Sequence, residues 1–368
     1  MNLPLLTARS RVMMFAPHPD DESLAAGIFL QRAVAAGAAA RVVYATDGER
    51  NCWPQRVLER KIRISHADRR RWGVRRQGEA LAALRVLGVA PGEVEFLSLP
   101  DQGITDLLLK GCRRTMKRCA AVIKDWQPTH LLLPSAADTH PDHSALAVLL
   151  GLVLEDFLPP QPSLMRLHYL VHGASAAFRR QACDLPPAPA EQKAKQRAIL
   201  RHITQVALSR RRFLSYARRP ERFVLGDGRM TCAVDGPVAG FTREPNALRL
   251  QVAFTLKPLR AEETSLHLLG HNSFGRLRRL RTTLPGRSGK IDLIDDGTGA
   301  IACVGRYHGD AFRGEILLPL HGFATSRPVF IKLDRRVWFF DEAGWLEIAA
   351  IAGAAIRQPS APPLLAVA

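Results

Sequence analysis

The sequence predicts an α/β fold: a Rossmann-like, mostly parallel sheet flanked by helices, followed by a C-terminal antiparallel, sandwich-like β domain. Two observations predict it. In the first part of the chain, apolar strand-like runs alternate with helical ones, which is the rhythm of βαβ units. After Gly226-Asp227-Gly228, short runs of alternating polarity are separated by Gly, Pro and Asp, as in antiparallel sheets.

The elements follow in order. Val12 to Ala16 reads as a strand, Ser23 to Ala36 as an amphipathic helix, and Ala40 to Ala45 as a second strand ending in Thr46-Asp47-Gly48. Arg75 to Leu87 is a helix closed by Gly88, and Val94 to Leu99 is a third strand running into Pro100-Asp101. Thr105 to Lys124 reads as one long helix, His130 to Leu133 as a fourth strand, and Leu146 to Leu154 as a buried helix. Leu185 to Pro189 is a proline-rich break before a basic amphipathic stretch, Glu191 to Arg219. The β-type runs are Leu248 to Leu256, Ser265 to Leu269, Lys290 to Leu293, Gly314 to Leu318, Val329 to Leu333 and Val337 to Phe340.

Composition bounds the function. No stretch approaches the ~20 apolar residues needed to span a bilayer, and the N-terminus lacks the layout of a signal peptide. The expectation is a cytoplasmic protein, with peripheral contact on the cytoplasmic face of a membrane left open. Six cysteines, without CxxC pairs or zinc-finger spacing, read as reduced and mostly buried. The net charge of +18 comes from arginine-rich stretches spread along the chain. It suggests an anionic neighbour, such as a phosphorylated substrate, acidic lipid or nucleic acid, or simply a solvated basic surface. No RNA-binding or helix-turn-helix signature supports nucleic acid.

The chemistry concentrates in two places. Phe15-Ala16-Pro17-His18-Pro19-Asp20-Asp21-Glu22 puts an imidazole and three carboxylates where a strand hands over to a helix. Thr139-His140-Pro141-Asp142-His143-Ser144 repeats the arrangement after the fourth strand. Strand-to-helix turns lie at the carboxyl edge of an α/β sheet, where ligands gather. His18 and Asp21 can face one point, and His143 can join them from the second cluster. Two imidazoles and a carboxylate with one open position suit catalytic zinc, although the same set also describes non-haem iron(II). Asp20 is placed to act as general base. His140 is placed to steady an oxyanion and then protonate a leaving amine, with Asp142 orienting the His140 or His143 ring. The competing reading makes Asp20 and Asp21 helix caps, and Asp138 and Thr139 caps of the second helix.

These motifs resemble those of the PIG-L/LmbE-like family of metal-dependent N-acetylglucosamine-type deacetylases, over residues 12 to about 225. The family usually has Ala-His-Pro-Asp-Asp-Glu; here Pro17 stands directly before His18. His140-Pro141-Asp142-His143 is the second match. Weaker ones are Thr46-Asp47-Gly48, Arg76-x-x-Glu79 with Leu87-Gly88-Val89, Leu99-Pro100-Asp101, and His202-x-x-Gln205 with Glu221-x-Phe223. The resemblance implies Zn2+, with Fe2+ or another divalent metal as alternatives, on His18, Asp21 and His143. It further implies Asp20 as base, His140 as electrophilic or acid group supported by Asp142, and Arg76 and Asp101 as substrate contacts. Arg76 paired with Glu79 on a helix face, and Asp101 serving a turn, are the structural alternatives.

The expected organisation is therefore a deacetylase domain over 1–228, a β-rich accessory domain over 229–356 and a flexible tail over 357–368. The expected activity is hydrolysis of an N-acyl, typically N-acetyl, group from an amino-sugar substrate, with an anionic glycoconjugate favoured by the charge. The rival is a non-catalytic glycoconjugate- or nucleic-acid-binding protein on the same fold. His66, His130, His168, His172 and His202 stand isolated in sequence and read as structural or solvated. Trp53 reads as a packing residue near the Thr46 to Asn51 loop, with a sugar subsite as the alternative. Trp338 and Trp345 read as β-domain core.

Overall fold

The computed structural model describes residues 3, 5–159, 163–173, 175–226, 236–254, 256, 258–259 and 264–351. The chain divides into two units, Met1–Thr231 with Val337–Trp345, and Cys232–Arg336 with Leu346–Ala368. The expected boundary near 228 and the expected tail over 357–368 both fall outside the described residues.

The first unit runs β1 (Arg11–Ala16), α1 (Asp21–Ala25), α2 (Gly27–Ala35), β2 (Ala39–Thr46), α3 (Cys52–Glu59), α4 (His66–Leu87), β3 (Val94–Leu99), α5 (Ile104–Leu109), α6 (Arg113–Trp126), β4 (His130–Pro134), α7 (Pro141–Asp156), β5 (Met165–Tyr169), α8 (Ala176–Gln181), β6 (Cys183–Leu185), α9 (Pro189–Ile199), α10 (Ile203–Ser215) and β7 (Glu221–Leu225). The strand order is β3-β2-β1-β4-β5-β7-β6. Pairings from β3 to β5 are parallel, while β7 and β6 are antiparallel. Strands β1 and β4 are buried almost throughout, as expected of parallel strands covered on both faces. The chain order reverses between β1 and β4. That is the switch point at which α/β sheets open a crevice for ligands.

Three stretches read as single helices are each broken in two. Ser23 to Ala36 divides at Ala26, because the Glu221 carboxylate accepts the amides of Ile28 and Phe29 and so caps a new helix. Thr105 to Lys124 divides at Gly111, whose φ of 82° no continuing helix permits. Glu191 to Arg219 divides between α9 and α10. Conversely, α4 starts well before Arg75. Ser65 and Asp68 form a reciprocal capping box that fixes its first turn.

The second unit contains β8 (Val238–Arg243), β9 (Ala247–Ala253), β10 (Ser265–His271), β11 (Leu277–Thr283), β12 (Gly289–Asp295), β13 (Ile301–Gly309), β14 (Arg313–Pro319), β15 (Val329–Asp334) and β18 (Leu346–Ile348); between β15 and β18 lie the turn strands β16 (Arg336–Val337) and β17 (Phe340–Asp341), of which all from Val337 onward groups with the first unit. Nine strands form one antiparallel sheet in the order β18-β15-β10-β11-β12-β13-β14-β9-β8. The buried side chains of both edge strands, Val238 and Ile348, belong to one core with Leu250, Leu268, Leu293 and Ile331. A single sheet can gather them only by curling into a near-barrel. No helix among the described residues is long and apolar enough to cross a membrane.

Candidate metal centre

The crevice between β1 and β4 is where the two acidic motifs meet. Leaving β1, the backbone reaches Asp20 at φ 155°, a region few side-chain-bearing residues occupy. It then enters α1 with Asp21 in the first turn. Leaving β4, the chain enters α7 with His140 as N-cap, Pro141 at the first helical position and His143 in the first turn.

His18 Nδ1 lies 3.2 Å from His143 Nε2, His18 Nδ1 lies 3.4 Å from Asp21 Oδ2, and His143 Nε2 lies 3.2 Å from Asp21 Oδ2. Donors held about 2.0–2.1 Å from a tetrahedral ion sit about 3.3–3.4 Å apart. The three atoms thus form one face of such a tetrahedron. Three overlapping groups, His18–His140–His143, Asp21–His143–His172 and His18–Asp101–Asp142, likewise bring their ligand atoms within 4.8 Å of one another.

The remaining ring nitrogens of both histidines meet carboxylates, the arrangement that fixes tautomer and raises the basicity of a metal-bound imidazole. His18 Nε2 faces Asp101 Oδ1 and Asp142 Oδ2, each at 3.3 Å. His143 Nδ1 faces Asp138 Oδ2 at 3.2 Å. Asp21 Oδ2 also accepts the His18 amide at 2.9 Å.

The electrostatics of this cluster call for a cation. Burial disfavours charge on His18, but Asp101, Asp142 and Asp21 outweigh it and hold the ring's pKa well above the usual histidine value. Burial disfavours charge on His143 as well, yet Asp21 and Asp138 raise its pKa to about 9. Burial would push Asp21 up, but His143 and His18 keep its carboxyl well below the ordinary range. Asp20, Asp21, Asp101, Asp138 and Asp142 are buried around the centre, and Arg76 sets a permanent cation against one of them, 3.4 Å from Asp20 Oδ2. The residues fit a divalent ion.

Asp20 and His140 line the adjoining cavity of about 510 Å³. Burial, with help from Asp21, raises the Asp20 carboxyl to about 6 against the pull of Arg76. Burial and the neighbouring His18, His143 and His172 keep the His140 pKa well below normal, so its ring is neutral. His140 Nδ1 accepts the Asp142 amide at 3.3 Å. The proton of the neutral ring is therefore on Nε2.

Residues 13–151 match the PIG-L family, described as GlcNAc-PI de-N-acetylase. They form a PIG-L domain. Over 150 residues, 36% of this chain, the sequence is 33% identical to a 1D-myo-inositol 2-acetamido-2-deoxy-alpha-D-glucopyranoside deacetylase of Mycobacterium avium. It is 32% identical over the same share to the same-named protein of Mycolicibacterium paratuberculosis. The chain spans about half the length of these relatives, 47% of each. Among solved structures, a conserved protein of Thermus thermophilus is 22% identical with a TM-score of 0.42, covering 58% of this chain and 93% of that one. An N,N'-diacetylchitobiose deacetylase from Pyrococcus horikoshii is 18% identical with a TM-score of 0.45, covering 60% and 84%.

Within the PIG-L domain all eight site residues named from the sequence come together, though several take other partners. Asp142 touches neither the His140 nor the His143 ring with its carboxylate. It contacts His18 and accepts the amides of Gln102 at 2.6 Å and Ile104 at 3.1 Å. The residue on His143 is Asp138, read from sequence as a cap. Arg76 is buried and does not pair with Glu79, which contacts Arg75 and Thr204. Arg76 instead donates to the carbonyls of Gly48 and Pro19, each at 2.8 Å, and lies 3.4 Å from Asp20 Oδ2. Gly48 has φ 65°, and a Cβ there would run into the Arg76 guanidinium, which accounts for the glycine of the Thr46-Asp47-Gly48 motif. Asp101 accepts the Arg50 amide at 2.6 Å as well as facing His18. His172, isolated in sequence, packs 4.9 Å from the His143 ring and 5.4 Å from His140. His202 is buried against Glu22 at 2.8 Å.

Proposed function

We propose that this chain is a zinc-dependent hydrolase that removes an N-acetyl group from an amino-sugar substrate. The observation that carries the proposal is the 3.2–3.4 Å triangle of His18 Nδ1, Asp21 Oδ2 and His143 Nε2 at the mouth of a cavity lined by Asp20 and His140. The names of the mycobacterial relatives favour an N-acetylglucosamine-type substrate. Zinc held there would supply Lewis acidity and make a water acidic enough to deprotonate near neutral pH.

The chain's own residues do the rest. Asp20, with its carboxyl near 6, is ionised at neutral pH and takes the proton of the attacking water. Arg76 orients that carboxylate and limits the rise that burial imposes on it. As the C–O bond forms, charge grows on the acetyl oxygen, and His140 Nε2–H donates to it. A neutral His140 holds no second proton to give. The proton taken by Asp20 therefore passes to the amide nitrogen as the C–N bond breaks, releasing acetate and the free amine. Asp101, Asp142 and Asp138 act by orienting the two imidazoles. Arg76 and Asp101 both line the cavity, which keeps a substrate hydroxyl within their reach.

A panel of N-acetylated amino sugars, assayed for released amine with zinc-loaded protein, tests the reading. The Asp20→Ala protein is expected to retain its metal while turnover falls by about 10²–10⁴, the usual contribution of a general base. Near-normal turnover by that variant on the true substrate would contradict the assignment.

A further inference from the structure

The turn between β16 and β17 belongs to the first unit, and its side chains reach the catalytic cavity. Trp338, Phe339 and Phe340 line that cavity together with Trp53 and Leu208. The segment is clamped to the loop between β4 and α7. The Asp341 amide donates to the Thr139 carbonyl at 2.8 Å and the Trp345 amide to the Ala136 carbonyl at 2.7 Å. Gly344 fits against the Ala136 and Asp138 carbonyls so closely that a Cβ would collide with both. Phe340 is thereby fixed 5.1 Å from the His172 ring and 5.9 Å from the His140 ring.

The tip of the turn departs from local preference. It has two residues, and its first central position, Trp338, has φ 65° while Phe339 does not share a positive φ. Such a turn ordinarily takes glycine at that position. Here the largest side chain occupies it, 79% exposed, beside Phe339 at 40%. The indole packs on Phe339, with ring centroids 4.3 Å apart, yet both rings stay largely open to the cavity and solvent; backbone strain of this kind tends to mark functional sites. Trp53, half-exposed at 51%, contributes a further ring to the same cavity.

The geometry points to an aglycone subsite: Trp338 and Phe339, with Trp53, take a flat apolar group attached to the amino sugar, while the sugar's amide lies at the ionic end. This deepens the deacetylase reading and rests on it for the sugar, but not for the apolar group. The substrate class is then an aryl or similarly apolar glycoside of an N-acylated amino sugar, not a free polar sugar. Aromatic faces suit such groups through offset or edge-on contact, and cavities with apolar walls and a few convergent polar groups are the usual form of small-molecule sites.

The test compares phenyl and methyl glycosides on the full-length, zinc-loaded protein. Deacetylation of phenyl against methyl 2-acetamido-2-deoxy-β-D-glucopyranoside is expected to favour phenyl at least tenfold in kcat/KM, mostly through KM. Calorimetric binding of phenyl against methyl β-D-glucopyranoside, which carry no amide, is expected to show the same preference. A Trp338→Gly, Phe339→Ala protein should fold without loss of thermal stability, since glycine suits the turn, and its preference should shrink to within twofold. Equal treatment of the two glycosides by the native protein, or an undiminished preference in the variant, overturns the subsite. Discrimination in binding without any amide cleavage would sink the deacetylase reading and leave the subsite standing.

Discussion

Replacing Asp138 by Asn tests how the metal centre is braced. Asp138 is fully buried. Its Oδ2 accepts the amides of Val171 and His172, each at 3.0 Å, and faces His143 Nδ1, while Oδ1 accepts the His140 amide at 2.8 Å. An asparagine that keeps its oxygen on the Oδ2 side preserves the first two hydrogen bonds. It removes the charge from His143 and turns an NH2 group toward the His140 amide. Loss of an orienting carboxylate lowers metal affinity by about 10–100-fold, or about 1.4–2.7 kcal/mol at 1.36 kcal/mol per decade. An unpaired buried donor costs about 1–3 kcal/mol of stability, a fall in Tm of about 2–12 °C for a domain of this size. Zinc affinity measured by competition with a chromophoric chelator, alongside thermal melting of the zinc-free protein, separates the two effects. A zinc Kd unchanged within twofold would refute the idea that Asp138 supports a metal-bound His143.

Gly48→Ala should displace the Arg76 guanidinium and strip Asp20 of its partner, reducing kcat by tenfold or more with metal content unchanged; full activity would show that Arg76 is not needed where it lies. Lys195→Met should destabilise the fold by about 3–5 kcal/mol, because the buried Glu221 carboxylate would lose its counter-charge and keep only the amides of Ile28 and Phe29, and a denaturant midpoint equal to that of the native protein would deny the pair any structural role. Hydrogen bonds from Lys61, Ser65 and Arg71 depress the Asp68 pKa, so its stabilising effect is complete above the unfolded value near 3.9 and fades as pH falls below it. The Tm gap between the native protein and Asp68→Asn should accordingly be wide at pH 6 and narrow toward pH 3; a gap independent of pH would contradict this.

The two His/Asp motifs of the candidate metal centre were legible in the sequence because each carries its ionisable groups within a few residues at a strand end. The pairing of β1 with β4 brings those ends together. What the sequence hid are relations made by tertiary structure. Asp138 stands next to a helix start and so reads as a cap, yet its carboxylate turns back to His143. Asp142 is two residues from His140, but the α7 N-terminus aims it toward the amides that open α5 and the far side of His18. His172 has no acidic neighbour in sequence and reaches the site only because it follows β5, which pairs with β4. Trp338 and Trp345 lie among β-type runs and therefore read as β-domain core. Instead Val337–Trp345 groups with the catalytic unit, through contacts with Ala136 and Thr139 that no local pattern announces. The nine-stranded β unit was legible as antiparallel from its alternation, shown by the inward Leu248, Leu250 and Val252 of β9. Alternation says which face is buried, not whether the strands divide into two sheets or curl as one.

X-ray absorption at the zinc edge of the reconstituted protein tests the central claim most directly. Two nitrogens and at least one oxygen at about 2.0–2.1 Å, with one ion per chain and loss of the ion in His18→Ala and His143→Ala, are the expected results. An ion that stays bound in both variants, or a shell without imidazole, would contradict it.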